Sequence, residues 1–428
     1  MRVFVTILEE SPAAAIQAIA SIDLDHDGVE IRAERFSAYD PATLRQATAK
    51  PIILTHRGTR ADPALLRQAL DGGIEFVDIE LGSEIPVPPE RVVLSHHDFE
   101  GMPDVKSVAL KMRAARCAAT KIAVTPQNFA DNQELLRQIA PGVTVIGMGE
   151  RGLYSRILAP FLGSDLVFVA PDRRGLAAPG QITLDEAAVI YGNRTTNATR
   201  IFAILGNPAG HSLSPAIHNP LFRAKGVPGA YTIASFESFA EVEGAFLAGE
   251  ISGLSVTAPF KEDAFHFAVR HDAIIGENAR EAGAVNTLVN CGTVSADNTD
   301  VDGFTAILAR LCGRERKSVA IVGAGGTARA ARVAVNRAGM HVMSYNRSPG
   351  KGSEPLSALA AFDGEIIINT APADAEIELP LRAGMTYIEA AYGGTLRPRV
   401  DGVEWIGGLE LLHAQAVRQH ELFMKVWK

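Results

Sequence analysis

Eight short apolar runs, each four to six residues long, alternate with amphipathic segments between Arg2 and Val169. The segments Asp62–Leu70, Val105–Ala118 and Asn132–Ile139 have helical spacing. Strands that alternate with helices pair in parallel, and eight such units predict a small (β/α)8 barrel. The runs are Arg2–Thr6, Val29–Arg32, Pro51–Thr55, Ile74–Ile79, Arg91–Ser95, Thr120–Val124, Val143–Gly147 and Leu166–Val169.

Composition excludes several classes of protein. The formal net charge of −8 and the absence of a basic block argue against nucleic acid or an anionic membrane as a partner. No apolar run approaches the ~18 residues of a membrane span, and the start at Met1 has the pattern of a strand rather than a signal peptide. Cys117, Cys291 and Cys312 are scattered and match no metal-ligand spacing. We therefore expect a cytoplasmic protein without a metal, in an oligomeric state that the sequence leaves open.

The alternation of apolar runs and helical segments is interrupted after the barrel. The polar stretch Tyr191–Arg200 predicts a linker, and a new strand begins at Ile201–Gly206. This second α/β unit extends to about Leu311, and the charged connector Gly313–Lys317 precedes a third unit. A chain of 428 residues is long enough for these three units.

The third unit opens with a strand, Val319–Val322, that leads into a glycine-rich turn and an alanine-rich helix. Glycine in such a turn lets backbone N–H groups approach a pyrophosphate, which the N-terminus of the following helix attracts. The spacing GxGGxxxA differs from GxGxxG, and a glycine-rich turn without a ligand is the alternative, but the strand–turn–helix context favours a dinucleotide. The residues predicted to line the turn are Gly323, Ala324, Gly325, Gly326 and Thr327.

The next strand of this unit indicates which dinucleotide is bound. His341–Tyr345 is followed by Asn346, Arg347 and Ser348, where an NAD site usually has an acid for the ribose 2′-hydroxyl. Arg347 can instead pair with a 2′-phosphate, and its two neighbours can donate hydrogen bonds. NADP(H) therefore fits better than NAD, although Arg347 could also be an ordinary surface arginine.

The second unit contains polar motifs that suit a small anionic substrate. Ser212 and Ser214 lie two residues apart beside a predicted helix N-terminus, which suits a carboxylate, although Ser214 before Pro215 also fits an ordinary helix cap. Lys261 follows a strand-like run and a Pro-Phe turn. A lysine paired with an aspartate such as Asp300 can supply the proton that carbonyl reduction requires.

These motifs together resemble shikimate dehydrogenase, and the resemblance covers Ile201 to Lys428. The signatures GNPxxHSLSP, VTxPFK, GAVNT, NTD, GAGG and NRS occur in the family's order. The resemblance implies that Lys261 and Asp300 form an acid–base dyad, and that Thr370 lies near the nicotinamide. It further implies that the substrate is held by Ser212, Ser214, Thr257, Asn286 and Gln415.

Two positions depart from the family pattern. Ser255 stands where the family usually has asparagine, and Val301 stands where it often has glycine. The smaller Ser255 side chain could alter substrate affinity or admit a related ring acid such as quinate.

The barrel also contains candidate catalytic residues, because polar groups at the carboxyl ends of barrel strands line the active site. Lys121 lies within the apolar run Thr120–Val124. If it faces the interior, burial and neighbouring arginines favour the uncharged, nucleophilic amine, which can form a Schiff base with a ketone. The alternative is that its stem lies along the strand and its ammonium reaches solvent.

The barrel resembles type I 3-dehydroquinate dehydratase over residues 1–190, through stretches such as Val77–Leu81, Ser95–Phe99 and Lys121–Val124. The resemblance implies that Lys121 forms the imine and that His97, rather than His96, is the general base. It assigns the substrate's carboxylate and hydroxyls to Glu30, Arg32, Arg57, Arg156 and Gln181.

Two changes predict weaker clamping of the substrate in the barrel. Ala177 stands where the family usually has serine, and Gly58–Asp62 lacks the glutamate of an EGG segment.

The two resemblances together predict dehydration of 3-dehydroquinate to 3-dehydroshikimate, followed by NADPH-dependent reduction to shikimate. A monofunctional shikimate or quinate dehydrogenase with a degenerate barrel, and a non-catalytic sensor of these metabolites, are the alternatives. The predicted domains are the barrel at 1–195, a substrate-binding domain at 200–311, a Rossmann-type NADP domain at 312–400, and a helical segment at 401–428 that completes the substrate domain.

Overall fold

The computed structural model describes residues 1–57, 62–192, 197–311, 317–348, 350, 352–372, 374–392 and 399–427. Three parts of the sequence discussed above lie outside the described residues. They are Cys312, most of the charged connector, and Gly58–Ala61 of the segment that lacks the family's glutamate. The chain forms two compact units: Met1–Ala203 with Ser212–Phe236, and Ile204–His211 with Glu237–Lys428. The predicted domain boundaries stay a prediction.

The first unit contains the eight predicted strands, each within about two residues of its expected position. Their buried residues are mostly β-branched, which suits strands covered on both faces. The strands are β1 (Arg2–Ile7), β2 (Gly28–Arg32), β3 (Ile52–Thr55), β4 (Phe76–Glu80), β5 (Val92–Asp98), β6 (Ala119–Val124), β7 (Val143–Gly147) and β8 (Leu166–Val169). The helices between and after them are α1 (Pro12–Ala20), α2 (Pro41–Arg45), α3 (Pro63–Asp71), α4 (Val105–Ala114), α5 (Phe129–Leu136), α6 (Leu153–Leu158) and α7 (Leu184–Tyr191).

The eight strands form a nearly closed parallel barrel. They are ordered β7-β6-β5-β4-β3-β2-β1-β8, so that β8 pairs with β1. Between β7 and β8, Leu166 N donates to Thr144 Oγ1 at 3.0 Å and Val145 N donates to Ser164 Oγ at 3.3 Å. The interior is filled by apolar side chains from several strands, including Phe4, Ile53, Val93, Leu166 and Phe168. The predicted α/β barrel is confirmed.

A segment beyond the barrel belongs to the same unit. Strand β9 (Arg200–Gly206) leads out of it, and α8 (Ser214–Ala224) and β10 (Gly229–Ser235) lie within it. The Thr232 hydroxyl donates to Tyr154 O at 3.0 Å, and an Arg223 N–H donates to Ile190 O at 2.6 Å. The Phe236 ring packs edge-on against that of Phe129, with the centroids 5.8 Å apart.

The second unit begins with a mixed sheet and its helices. Strands β11, β13, β14 and β12 are neighbours in that order; β13 is antiparallel to both β11 and β14, and β12 is parallel to β14. The elements are α9 (Ala240–Leu247), β11 (Gly253–Val256), α10 (Lys261–Arg270), β12 (Ile274–Ile275), α11 (Glu277–Ala282), β13 (Thr287–Asn290), β14 (Val294–Asp297) and α12 (Thr299–Leu311).

A parallel six-stranded sheet completes the second unit, in the order β17-β16-β15-β18-β19-β20. The chain order reverses beside β15, as in a doubly wound nucleotide-binding sheet, so the predicted Rossmann-type fold is confirmed. The elements are β15 (Ser318–Val322), α13 (Gly326–Arg337), β16 (His341–Asn346), β17 (Glu354–Pro355), β18 (Ile366–Asn369), β19 (Thr386–Glu389), β20 (Glu404–Ile406) and α14 (Gly408–Phe423). Ligands of such sheets bind at the carboxyl end of the strands beside the reversal, here at the end of β15. Across the described ranges, no helix is both long and apolar enough to span a bilayer.

Candidate active sites

Lys121 lies at the centre of the barrel pocket. It is 2% exposed on β6, and its ammonium lies 4.4 Å from the centre of the Phe168 ring. Its Nζ is 2.6 Å from Asp78 Oδ2 and 3.1 Å from Glu30 Oε1. The side chain therefore faces the interior and does not reach toward bulk solvent.

Glu30 connects several strands beneath the lysine. The hydroxyl of Thr6 on β1 donates to its Oε2 at 2.9 Å, and that of Thr55 on β3 donates to its Oε1 at 3.1 Å. Burial alone would raise the pKa of Glu30, but the charges of Lys121 and Arg57 lower it to about 2. Glu30 therefore stays ionised at every pH at which the protein would work.

Asp78 is the second buried carboxylate. It accepts a hydrogen bond from the hydroxyl of Ser95 on β5. Burial would raise its pKa, but Lys121 and Arg57 hold the pKa below its usual value. The two carboxylates thus surround Lys121 with negative charge, whereas the sequence predicted only neighbouring arginines.

His97 lies on the same side of the barrel wall as Lys121. On β5 and β6, Ser95 is in register with Lys121 and His97 with Ala123, so His96, in register with Ile122, faces the other way. His97 donates through Nδ1 to Glu80 Oε2 at 2.7 Å, which leaves Nε2 as an acceptor. Burial lowers the pKa of His97 to about 4, and the positive charges of Lys121 and Arg57 act in the same direction.

The barrel residues predicted from the sequence share one pocket. Its volume is about 540 Å³, including the part open to solvent. Arg156 donates through Nε to Gly147 O at 2.9 Å, and burial lowers its pKa to about 10. No carboxylate pairs with Arg156 among the described residues, so an anionic ligand would offset its burial. The lining includes Glu30, Arg32, Arg57, His97, Lys121, Arg156, Ala177 and Gln181.

Two further residues that the resemblance assigns to the substrate already have protein partners. Gln181 accepts a hydrogen bond from Ala177 N at 2.6 Å and donates to Phe168 O at 3.3 Å. Arg32 pairs with Glu34 Oε1 at 2.5 Å. Ala177 thus orients Gln181 through its backbone, which an alanine can do as well as the family's serine.

Lys261 is the first residue of α10 and is 9% exposed. Its Nζ donates to Asp300 Oδ2 at 2.5 Å and to Thr327 Oγ1 at 2.8 Å. Asn286 donates to the other oxygen of Asp300 at 2.9 Å. The predicted dyad therefore lies in direct contact with the glycine-rich turn.

Amides and hydroxyls extend this network behind the dyad. Thr299 donates through its hydroxyl to Gln415 Oε1 at 2.9 Å and through its backbone N–H to Asn286 Oδ1 at 2.8 Å. Ser255, which stands where the family usually has asparagine, donates to Gln419 Oε1 at 2.6 Å. Gln419 in turn donates to Asn286 O at 3.2 Å, so Ser255 is linked to Asn286 through one side chain.

The remaining substrate candidates precede Lys261 in the chain. Thr257 follows β11, and its backbone N–H donates to Leu205 O at 2.9 Å. A Cβ on Gly206 would meet Thr257 Cγ2 at 2.3 Å, so glycine permits this approach. Ser212 and Ser214 belong to the first unit, where their hydroxyls are 3.2 Å apart at the start of α8.

The glycine-rich turn follows β15 at the expected end of the sheet. Gly323 has a φ of +115°, and a Cβ there would lie 2.4 Å from Thr370 Oγ1, so only glycine fits. Gly325 caps α13 without a side-chain hydrogen bond, and no atom lies within 4 Å of the position its Cβ would take. The open N–H groups and the free space fit a pyrophosphate.

The 2′-phosphate candidates follow the neighbouring strand, β16. Asn346 donates to Ser348 O at 3.1 Å and accepts from Arg347 N at 2.9 Å. The Arg347 side chain is exposed at the carboxyl end of the sheet. Its guanidinium is thus accessible to a phosphate. Ala324, in the turn itself, is also exposed.

Sequence reasoning missed several residues that contact the two lysines or the carboxylates beside Lys121. Asp78, Ser95, Thr6 and Thr55 were not assigned a role, and Thr327 was assigned only to the cofactor. The signal for Asp78 was its place in the buried β4 pattern, where an ionisable side chain faces the barrel interior.

The chain is similar to two families and to curated multifunctional enzymes. Residues 3–198 match type I 3-dehydroquinase, and residues 204–288 match the shikimate dehydrogenase substrate binding domain. The chain is 25% identical over 483 residues to the Arabidopsis thaliana bifunctional 3-dehydroquinate dehydratase/shikimate dehydrogenase, covering 95% of this chain and 79% of that protein. It is 28% identical over 478 residues to the pentafunctional AROM polypeptide of Zygosaccharomyces rouxii, covering 93% of this chain but only 30% of that polypeptide.

One solved structure aligns along the whole chain. It is the dehydroquinate dehydratase and shikimate dehydrogenase from S. pombe AroM, with 22% sequence identity, a TM-score of 0.41, and coverage of 100% of this chain and 98% of that chain.

Proposed function

We propose that this chain, which joins a type I 3-dehydroquinase domain to a shikimate dehydrogenase substrate-binding domain, catalyses two consecutive reactions on one ring acid. The first reaction dehydrates 3-dehydroquinate to 3-dehydroshikimate, and the second reduces that ketone to shikimate with NADPH. The observation that carries the proposal is the pair of buried lysines, each within 3.1 Å of an acidic side chain: Lys121 in the barrel and Lys261 in the second unit.

In the barrel, the ammonium of Lys121 transfers a proton to the ketone oxygen as its amine adds to the ring carbon, and loss of water then gives a protonated imine. Neutral His97 then removes the proton from the carbon next to the imine through Nε2, while Glu80 holds Nδ1–H. The same histidine returns that proton to the departing hydroxyl, which leaves as water. Hydrolysis of the imine releases the enone and regenerates the lysine, so the net change is the loss of one water molecule.

The charges around the lysine suit this sequence of steps. Glu30 and Asp78 remain anionic because their pKa values are lowered, and they stabilise the positive imine. Arg57 and Arg156 supply the positive charge for the substrate carboxylate. Gln181 and Arg32 complete the contacts with the ring hydroxyls and the carboxylate.

In the second unit, NADPH would occupy the turn of Gly323 to Thr327, with Arg347 at its 2′-phosphate, and would supply the hydride. Lys261 holds a proton toward the carbonyl oxygen of the ring, and Asp300 fixes the lysine. Within the second unit, the substrate would be held by Thr257, Asn286 and Gln415.

A monofunctional dehydrogenase is the second candidate, because Ala177 and the missing glutamate after Arg57 remove two side chains that the family uses to clamp substrate. In this case the barrel would retain its fold but turn over slowly. The scattered cysteines favour the cytosol as the site of either function.

A coupled assay with 3-dehydroquinate and either NADPH or NADH tests the proposal. Wild type should oxidise NADPH in preference to NADH. Lys261→Ala should accumulate the absorbance of the enone with little NADPH oxidation. Lys121→Ala should give neither signal, yet should oxidise NADPH when 3-dehydroshikimate is supplied.

The exposed Lys111 on α4 provides the control, since Lys111→Ala should behave as wild type. Dehydration by Lys121→Ala at the wild-type rate would exclude imine chemistry. A wild-type chain that reduces 3-dehydroshikimate but leaves 3-dehydroquinate unchanged would favour the monofunctional alternative.

A further inference from the structure

The ammonium of Lys261 is held by two different elements of the second unit. Asp300, on α12, accepts one N–H at 2.5 Å, and Thr327, on α13, accepts another at 2.8 Å. An ammonium has three N–H donors, arranged tetrahedrally. Two fixed acceptors therefore determine the direction of the third N–H, whereas Asp300 alone would leave the group free to rotate about the Cε–Nζ bond.

The stem of the lysine packs directly on the same turn. A Cβ on Gly326 would approach Lys261 Cβ and Cδ to 2.9 Å, closer than real Cβ contacts. One residue further on, Glu262 pairs with Arg329 of α13 at 2.6 Å. The start of α10 and the start of α13 are thus held together by a van der Waals contact, a hydrogen bond and an ion pair.

The hydroxyl of Thr327 has a second hydrogen-bonding function available. A hydroxyl donates once and accepts twice, and Thr327 Oγ1 already accepts from Lys261. Within the part of the chain that the structure describes, it donates to no protein acceptor. Thr327 is the second residue of α13, at an N-terminus that Gly325 leaves without a side-chain cap. Its O–H is therefore next to the position where an anion would bind.

We propose that Thr327 is a positioning residue that couples the phosphate site of the dinucleotide to the orientation of the Lys261 ammonium. A phosphate oxygen accepts the Thr327 proton, which turns the lone pairs of Oγ1 toward Lys261. Cofactor binding thus strengthens the arrangement that directs the third N–H of the lysine to the substrate carbonyl. This inference rests on the proposed dehydrogenase function and assigns a role in proton delivery to a residue of the nucleotide-binding turn.

The test compares Thr327→Val, which removes the hydroxyl with little change of shape, with Thr327→Ser, which retains it. The exposed Thr305 on α12 supplies the control variant Thr305→Val, because its hydroxyl donates only to Val301 O of its own helix. Two quantities are measured in each full-length variant. They are the NADP⁺ dissociation constant by calorimetry, and kcat and KM for shikimate oxidation.

Thr327→Val should weaken NADP⁺ binding about 3- to 10-fold and lower kcat roughly 10- to 100-fold, as expected for lost hydrogen bonds to charged groups. The KM for shikimate should change less than about 2-fold, because the hydroxyl does not touch the substrate. Thr327→Ser should restore both constants to within about 3-fold of wild type, and Thr305→Val should match wild type.

Two results would overturn the inference while leaving the proposed function intact. One is a Thr327→Val enzyme with wild-type kcat and NADP⁺ affinity. The other is a loss of kcat that Thr327→Ser fails to restore, which would indicate a structural role for the residue. A wild-type chain unable to oxidise shikimate would refute the dehydrogenase function and the positioning role together.

Discussion

The two buried lysines differ in what holds them. Lys121 lies in the middle of a barrel strand and contacts two carboxylates at 2.6 and 3.1 Å. Lys261 begins a helix and contacts one carboxylate at 2.5 Å and one hydroxyl at 2.8 Å. The first lysine is enclosed by side chains from its own barrel, while the second is fixed between two elements that also border a nucleotide turn. Under the proposed function, the same residue type attacks a carbon in one site and donates a proton to an oxygen in the other.

The largest expected difference between the two lysines is covalent trapping. Borohydride added with 3-dehydroshikimate should reduce the imine and attach the ring to Lys121, because the pocket surrounds that amine with groups for imine formation. Lys261 should stay unmodified, since under the proposed function it holds a proton toward the ring oxygen and does not attack the ring carbon. Mass analysis of peptides locates the label. The Lys261→Ala variant should trap as wild type does, and a label on Lys261 would contradict the division of roles.

A smaller contrast is expected in stability. Lys121→Met leaves Glu30 and Asp78 buried together without the cation that contacts both of them, which should cost about 3–5 kcal/mol. Lys261→Met leaves only Asp300, which still accepts from Asn286, and should cost about 1–3 kcal/mol.

Hydrogen exchange reports the two units separately and therefore suits this comparison. Amides of β2 and β4 should lose more protection in Lys121→Met than amides of α12 lose in Lys261→Met. Equal losses of amide protection in the two variants would show that the second buried carboxylate adds nothing to the destabilisation caused by removing Lys121.

The smallest expected effect is on the acid side of the dehydratase pH profile. A general base acts in its neutral form, so activity falls as pH drops through the pKa of the free enzyme. Because burial lowers the pKa of His97 to about 4, kcat/KM for dehydration should fall by less than about 20% between pH 7 and pH 5. With a histidine of ordinary pKa near 6.5, kcat/KM would fall roughly 25-fold over the same range. An acid limb centred near pH 6.5 would therefore contradict the buried, neutral His97.

Much of the fold is predictable from local pattern. Each barrel strand lies within about two residues of its apolar run, because parallel strands covered on both faces require continuous apolar sequence. The turn after β15 is equally local, since Gly323 needs its positive φ whatever surrounds it.

The partners of the two lysines were not predictable in this way. Lys121 on β6 contacts Glu30 on β2, four strands away in the barrel, and only closure of the sheet brings them together. The contact between Lys261 and Thr327 joins residues 66 positions apart on different helices, α10 and α13. Such pairs depend on long-range packing, which the spacing of residues along the chain does not encode.

The grouping of Ser212–Phe236 with the barrel has a practical consequence for dividing the chain. Separation at the polar stretch between the two families would leave the carbonyls of Tyr154 and Ile190 without the hydrogen bonds from Thr232 and Arg223. It would also expose the aromatic face of Phe129 that Phe236 covers. Two halves expressed apart would each expose polar and aromatic groups that are in contact in the intact chain. We therefore expect the separated halves to be less stable and less soluble than the whole chain.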